Sequence, residues 1–76
     1  MKAEIKNIID RKSAQVTHEV SKIFNLEYEQ AFHKFFNSET YIKLSDEETK
    51  YWKESIPYIL ESFVSEKEGI PVNDGY

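Results

Sequence analysis

The sequence predicts an all-α protein, a compact bundle of four or five helices in which the first helix is much longer than the others. Three observations predict it. Apolar residues recur at helical spacing in separate stretches, Ser, Asn and Pro stand where helices start and stop, and no stretch alternates apolar with polar residues as a half-buried strand would. The 76 residues make one domain, expected over residues 1–70, with 71–76 a frayed tail. A chain this short buries only about 60–65% of the surface its unfolded form exposes. It has no cysteine, so no disulfide can staple it, and its five Phe, five Tyr and one Trp must supply much of the core.

Ile5, Ile9, Val16, Val20, Ile23 and Phe24 fall within about 100° of arc at 3.6 residues per turn, which predicts one helix from Ile5 to Phe24, about 30 Å long. Asn25 interrupts the pattern; it tolerates the left-handed conformation and can also accept bonds from free N–H groups, so it is expected both to close this helix and to cap the next. The second helix is expected over Leu26–Phe36, with Glu27 and Glu29 in its first turn and Tyr28, Ala31, Phe32 and Phe35 on its apolar stripe. Ser38 then caps a short helix bearing Tyr41 and Leu44. Ser45 and Glu48 match an S-x-x-E capping box that opens another short helix through Trp52. The carboxylates of Glu39, Asp46, Glu47 and Glu48 therefore read as helix-start residues. Ser55 caps the last helix, Pro57 is tolerated in its first turn, and Ile56, Ile59, Leu60, Phe63 and Val64 keep helical spacing up to a stop at Gly69–Ile70. The expected core is Val16, Val20, Ile23, Phe32, Phe35, Trp52, Ile59, Leu60 and Phe63.

The net charge of −4 is unevenly placed. Residues 1–25 carry five basic and three acidic side chains, a balance of +2, and residues 26–76 carry five and eleven, a balance of −6. The stretch MKAEIKNIIDRK is charged throughout and has no apolar leader core, and no apolar run approaches the ~20 residues that cross a bilayer. A cytoplasmic protein without membrane contact is expected.

Chemistry-bearing patterns are sparse. His18 lies opposite the apolar face of the first helix, and His33 forms only an i, i+4 pair with Glu29, short of the three or four ligands that zinc needs. Asp46-Glu47-Glu48 is a consecutive, solvated run, whereas general acid–base work needs a desolvated carboxyl. With two glycines there is no phosphate-cradling loop. The expectation is a protein that is not an enzyme, with no cofactor and no metal. The stretch VSKIFNLEYEQAFHKFF has the proportions of a helix-turn-helix, yet its second helix would present Glu27 and Glu29 to phosphates and carries one Lys and no Arg, so nucleic acid is not expected as a partner.

The pattern S-x-T-Y-x-x-L-x-D-E-x-T-x-x-W-x-x-S, formed by Ser38, Thr40, Tyr41, Leu44, Asp46, Glu47, Thr49, Trp52 and Ser55 and followed by YILESF, resembles that of short uncharacterised bacterial helical proteins, some of them from toxin–antitoxin-like or mobile-element loci. The likeness covers residues 20–66. It is a pattern of packing and capping residues; it implies a small helical accessory or regulatory protein and carries over no catalytic residue.

What remains is a protein–protein interaction module. Tyr51, Trp52 and Tyr58 are expected at its surface, where Tyr and Trp are enriched at binding hot spots. Ile5, Ile8 and Ile9 are expected to form an apolar patch beyond the reach of the shorter helices, unless Ile70-Pro71-Val72 covers it; the chain is then a monomer or a weak homodimer paired through Ile5 and Ile9. The alternative is a helix-turn-helix-like nucleic-acid-binding protein.

Overall fold

The computed structural model describes residues 2–68, and its first helix, α1, spans Ala3–Ile23. It is the long helix that the spacing predicts. α2 spans Tyr28–Phe36 and α3 Glu39–Ser45; two single 3₁₀ turns follow at Glu47–Thr49 and Tyr51–Lys53, and α4 spans Ile56–Glu68. No strand occurs among the described residues, so the fold is all-α. The stop expected at Gly69–Ile70, the covering Ile70-Pro71-Val72 segment and the tail 71–76 lie outside the described residues.

The stripe that α1 buries consists of Ile9, Ser13, Val16, Thr17 and Val20. Two of its members are polar, and both satisfy their hydroxyls within the helix: Ser13 Oγ donates to the Ile9 carbonyl at 2.7 Å and Thr17 Oγ1 to the Ser13 carbonyl at 2.8 Å. Because these bonds remove the cost of burying a hydroxyl, α2 can lie close against small side chains. The buried arc is thereby turned away from Ile23. Ile23, expected in the core, is 51% exposed, and Phe32, also expected there, is 38% exposed because Ala31 and Phe35 are the residues that α2 turns inward.

Asn25 has φ 55° and reverses the chain after α1, as its tolerance of that conformation predicts. It does not cap α2. That cap is Glu27, whose side chain accepts from the backbone of Gln30 while the Gln30 side chain accepts from Glu27 N–H at 3.1 Å, a reciprocal box that starts the helix two residues later than expected. Ser38 caps α3 by accepting from Tyr41 N–H at 3.1 Å. The helix expected from Ser45 through Trp52 does not form. Ser45 ends α3 and donates to the Ile42 carbonyl, Asp46 Oδ1 accepts from Glu48 N–H, and Lys50 at φ 65° breaks the segment into two turns. Ser55 caps α4 by accepting from Tyr58 N–H, with Pro57 in the first turn.

Ile9, Val16, Val20, Ala31, Phe35, Leu44, Ile59 and Phe63 are the buried core, with Trp52 and Leu60 half-buried against it. Phe35 sits at its centre, meeting Phe63, Tyr41 and Phe36 edge-to-face at 5.4, 5.7 and 6.0 Å. Leu44 brings α3 into the core, whereas the expected core contains no residue of that helix.

Two long-range contacts hold the short elements in place. Lys12 Nζ on α1 donates to the carbonyls of Trp52 and Glu54 at 2.8 and 2.5 Å, satisfying the open end of the second 3₁₀ turn. Glu66 near the end of α4 reaches the start of α3, where Glu39 N–H, Thr40 N–H and Thr40 Oγ1 donate to its carboxylate at 2.8, 3.0 and 2.8 Å. Partial burial pushes the Glu66 carboxyl up, but these hydrogen bonds and the charge of Lys67 outweigh it and hold the group below its ordinary value.

Candidate interaction surface

α2 is short and follows a tight reversal, so it runs back along α1 and leaves one side of its aromatic stripe uncovered. Tyr28, Phe32 and Phe36 stand at i, i+4 and i+8, the spacing that aligns side chains along one helix edge. With Asp10, Ser13, Ala14 and Thr17 of α1 they line an open groove of about 200 Å³. The aromatic wall continues into α3: Phe36 stacks on Phe32 at 4.1 Å between ring centroids and on Tyr41 at 4.2 Å. Beyond Tyr41 a second recess of about 300 Å³ is lined by Lys6, Ile9, Asp10, Tyr41 and Ser45. Asp10 lines both, so the two recesses are neighbours along α1 beside the Tyr28-Phe32-Phe36-Tyr41 wall.

The groove is apolar in the middle and charged at one end. Tyr28 is 49% and Phe32 38% exposed, while Ser13 and Thr17 on its floor are buried with their hydroxyls already bonded to backbone. Lys6 Nζ and Asp10 Oδ2 pair at 2.8 Å, and the hydrogen bond and charge of Asp10 hold the Lys6 ammonium above its ordinary value.

The residues that the sequence singles out are only partly here. Tyr51 and Trp52 are half-buried and serve the fold: Trp52 Nε1 donates to the Glu47 carbonyl at 2.9 Å, and Tyr51 OH lies 3.4 Å from Ser62 Oγ. Tyr51 also meets the Tyr58 ring edge-on at 5.8 Å, and Tyr58 is 45% exposed. These three cluster away from the groove, at the α4 start. Ile5 and Ile8 are half-buried. Ile9, expected in an exposed patch, is 3% exposed and belongs to the core, because α3 lies over the α1 half expected to be bare. Sequence reasoning does not single out Tyr28, Phe32, Phe36 and Tyr41 as surface residues, although the i, i+4, i+8 spacing of the first three is visible in the sequence; an aromatic stripe reads as core until the neighbouring helix is placed.

His18 and His33 are both exposed. His18 lines an open recess of about 520 Å³ with Ala14, Gln15, Glu19 and Ile56 on the other flank of α1, and His33 lies edge-on to Phe32 at 5.7 Å. Among the described residues no three of His, Asp and Glu come together as a metal would need, and no helix is long and apolar enough to cross a membrane. Comparison with known proteins finds no family model, no curated protein and no solved structure that matches this chain.

Proposed function

We propose that this chain is a small protein–protein interaction module, a regulatory or accessory protein of the bacterial cytoplasm that recognises its partner through the α1–α2 groove. The observation that carries the reading is the aromatic wall, with Tyr28 and Phe32 exposed beside a floor of small residues. Rigid rings beside a shallow groove are what interfaces use as anchors, since they bury much apolar area for little lost side-chain entropy. Binding of duplex DNA fits the same surface poorly. The outer side of α2 begins with Glu27 and Glu29, and its only lysine, Lys34, holds its ammonium 5.2 Å from the Phe24 ring rather than on the groove side.

Affinity capture from the native host with wild-type chain, Phe32→Ser and Tyr58→Ser tests the reading. A partner retained by wild type and Tyr58→Ser but lost from Phe32→Ser is the expected result. Equal capture by all three chains would remove the groove from the function. Duplex DNA titrated at physiological salt should bind no more tightly than about the micromolar, sequence-independent level; nanomolar affinity lost on Lys34→Glu would favour the helix-turn-helix reading instead.

A further inference from the structure

We infer that Tyr51, Ser62, Thr40 and Glu66 form a one-directional hydrogen-bond relay that carries the charge state of Glu66 to the aromatic patch of Tyr51 and Tyr58, and so makes that patch acid-sensitive. The α1–α2 groove has no part in it. The direction follows from counting protons. A carboxylate only accepts, so Thr40 Oγ1 donates its single proton to Glu66 Oε1 at 2.8 Å. Ser62 Oγ lies 3.4 Å from Thr40 Oγ1, whose proton is already given, so Ser62 is the donor there. That uses the Ser62 proton in turn, and Tyr51 OH, 3.4 Å from Ser62 Oγ, donates to it. Every link points from the phenol towards the carboxylate.

Burial keeps water from replacing the middle of the relay, since Thr40 is 2% and Ser62 3% exposed. The buried hydroxyls of Ser13, Thr17 and Ser38 each donate to a nearby backbone carbonyl. Ser62 makes no such bond among the described residues; its partners are the hydroxyls of Thr40 and Tyr51. Leaving a buried hydroxyl unpaired is costly, so the three hydroxyls respond together. Glu66 at the other end is half-buried and takes its proton from solvent. Once protonated it no longer draws the Thr40 proton as a charge does, and the relay loses the group that sets its direction. The two links through Ser62 are already longer than the usual O–H···O distance of about 2.7–2.8 Å, so they are the first to be lost. Tyr51 is then released from Ser62, and Tyr58, 45% exposed and edge-on to Tyr51 at 5.8 Å, loses a fixed neighbour.

The charged groups around the relay leave Glu66 as its acid-sensitive member. Lys67 on α4 favours the carboxylate, Glu39 on α3 contributes its N–H, and Lys43 on α3 holds its ammonium 5.7 Å from the Tyr51 ring centroid. α1 meets this half of α4 through the Phe24 ring on Phe63.

Carbon-13 labelling of the tyrosine Cζ atoms, read by NMR on the full chain, tests the relay, with Tyr51→Phe assigning one of the five signals. From neutral pH down to about pH 3, the Tyr51 signal is expected to move with the same midpoint as the side-chain carboxyl carbon of Glu66. Ser62→Ala, and likewise Thr40→Val, should leave the Glu66 titration in place and abolish the Tyr51 step. A second arm at neutral pH avoids acid unfolding: Glu66→Gln should shift the Tyr51 signal in the wild-type background and not beside Ser62→Ala, with circular dichroism establishing that each variant is folded. A Tyr51 signal that follows Glu66 equally with and without the Ser62 hydroxyl reports charge felt through space and overturns the inference. So does a Tyr51 signal that ignores Glu66 altogether.

Discussion

Glu66 holds the start of α3 from 26 residues away, and removing its charge should cost stability in a pH-dependent way. Its carboxylate accepts three hydrogen bonds from Glu39 and Thr40, all between 2.8 and 3.0 Å. A bond to a charged group contributes about 1.5–3 kcal/mol and a helix cap about 0.5–2 kcal/mol. The three bonds share one acceptor and water can replace part of them, so Glu66→Ala is expected to cost about 2 kcal/mol and lower the melting temperature by roughly 10 °C in a domain of this size. Glu66→Gln keeps one acceptor and loses the charge, at about half that cost. The hydrogen bonds lower the carboxyl pKa in the folded state. The contribution is therefore fully present above the unfolded-chain value of about 4.3 and disappears as pH falls through the folded value. Urea or thermal melts followed by circular dichroism, from neutral pH down to about pH 3, should show a gap between wild type and Glu66→Gln that is widest at neutral pH and closes in acid. A gap of constant size across that range would mean that the carboxylate charge is not what holds α3, and no gap at neutral pH would remove the contact from the stability of the fold.

Two further outcomes follow from the turns. Lys50 is a non-glycine residue at φ 65°, so Lys50→Gly should stabilise the chain by about 0.5–1 kcal/mol, read as a higher urea midpoint; Asn25→Gly, at φ 55° but with a residue already suited to that conformation, should change it little. Lys12→Met keeps the apolar stem and removes the two bonds to Trp52 and Glu54, which should cost about 1–2 kcal/mol and red-shift the emission of Trp52, the single tryptophan of the chain. An unchanged spectrum would show that the second 3₁₀ turn is held without Lys12.

The sequence by itself determined the fold class, the length of α1, the reversal at Asn25 and the caps at Ser38 and Ser55, because each of these depends on residues within a few positions of one another. Local bonding also explains why no helix starts at Ser45: two rival starts, Ser45 and Asp46, stand side by side, the Ser45 hydroxyl donates back to the Ile42 carbonyl, and it is Asp46 that accepts from the Glu48 N–H. Which side of each helix is buried was not a local matter. Ser13 and Thr17 enter the core and Ile23 leaves it because hydroxyls bonded to their own helix are small, satisfied side chains against which α2 can close, and hydropathy alone does not register that. Ile9 is covered because α3 lies over that part of α1, and Phe32 is not because Ala31 and Phe35 are the residues that α2 turns inward. The contacts made by Lys12 and Glu66 span 40 and 26 residues, respectively, and reach mostly backbone groups, which any sequence would carry, with the Thr40 hydroxyl as the one side-chain partner. Only the tertiary structure could decide them, and with them the aromatic edge left open between α1 and α2, since an exposed face is what remains after every other helix has been placed.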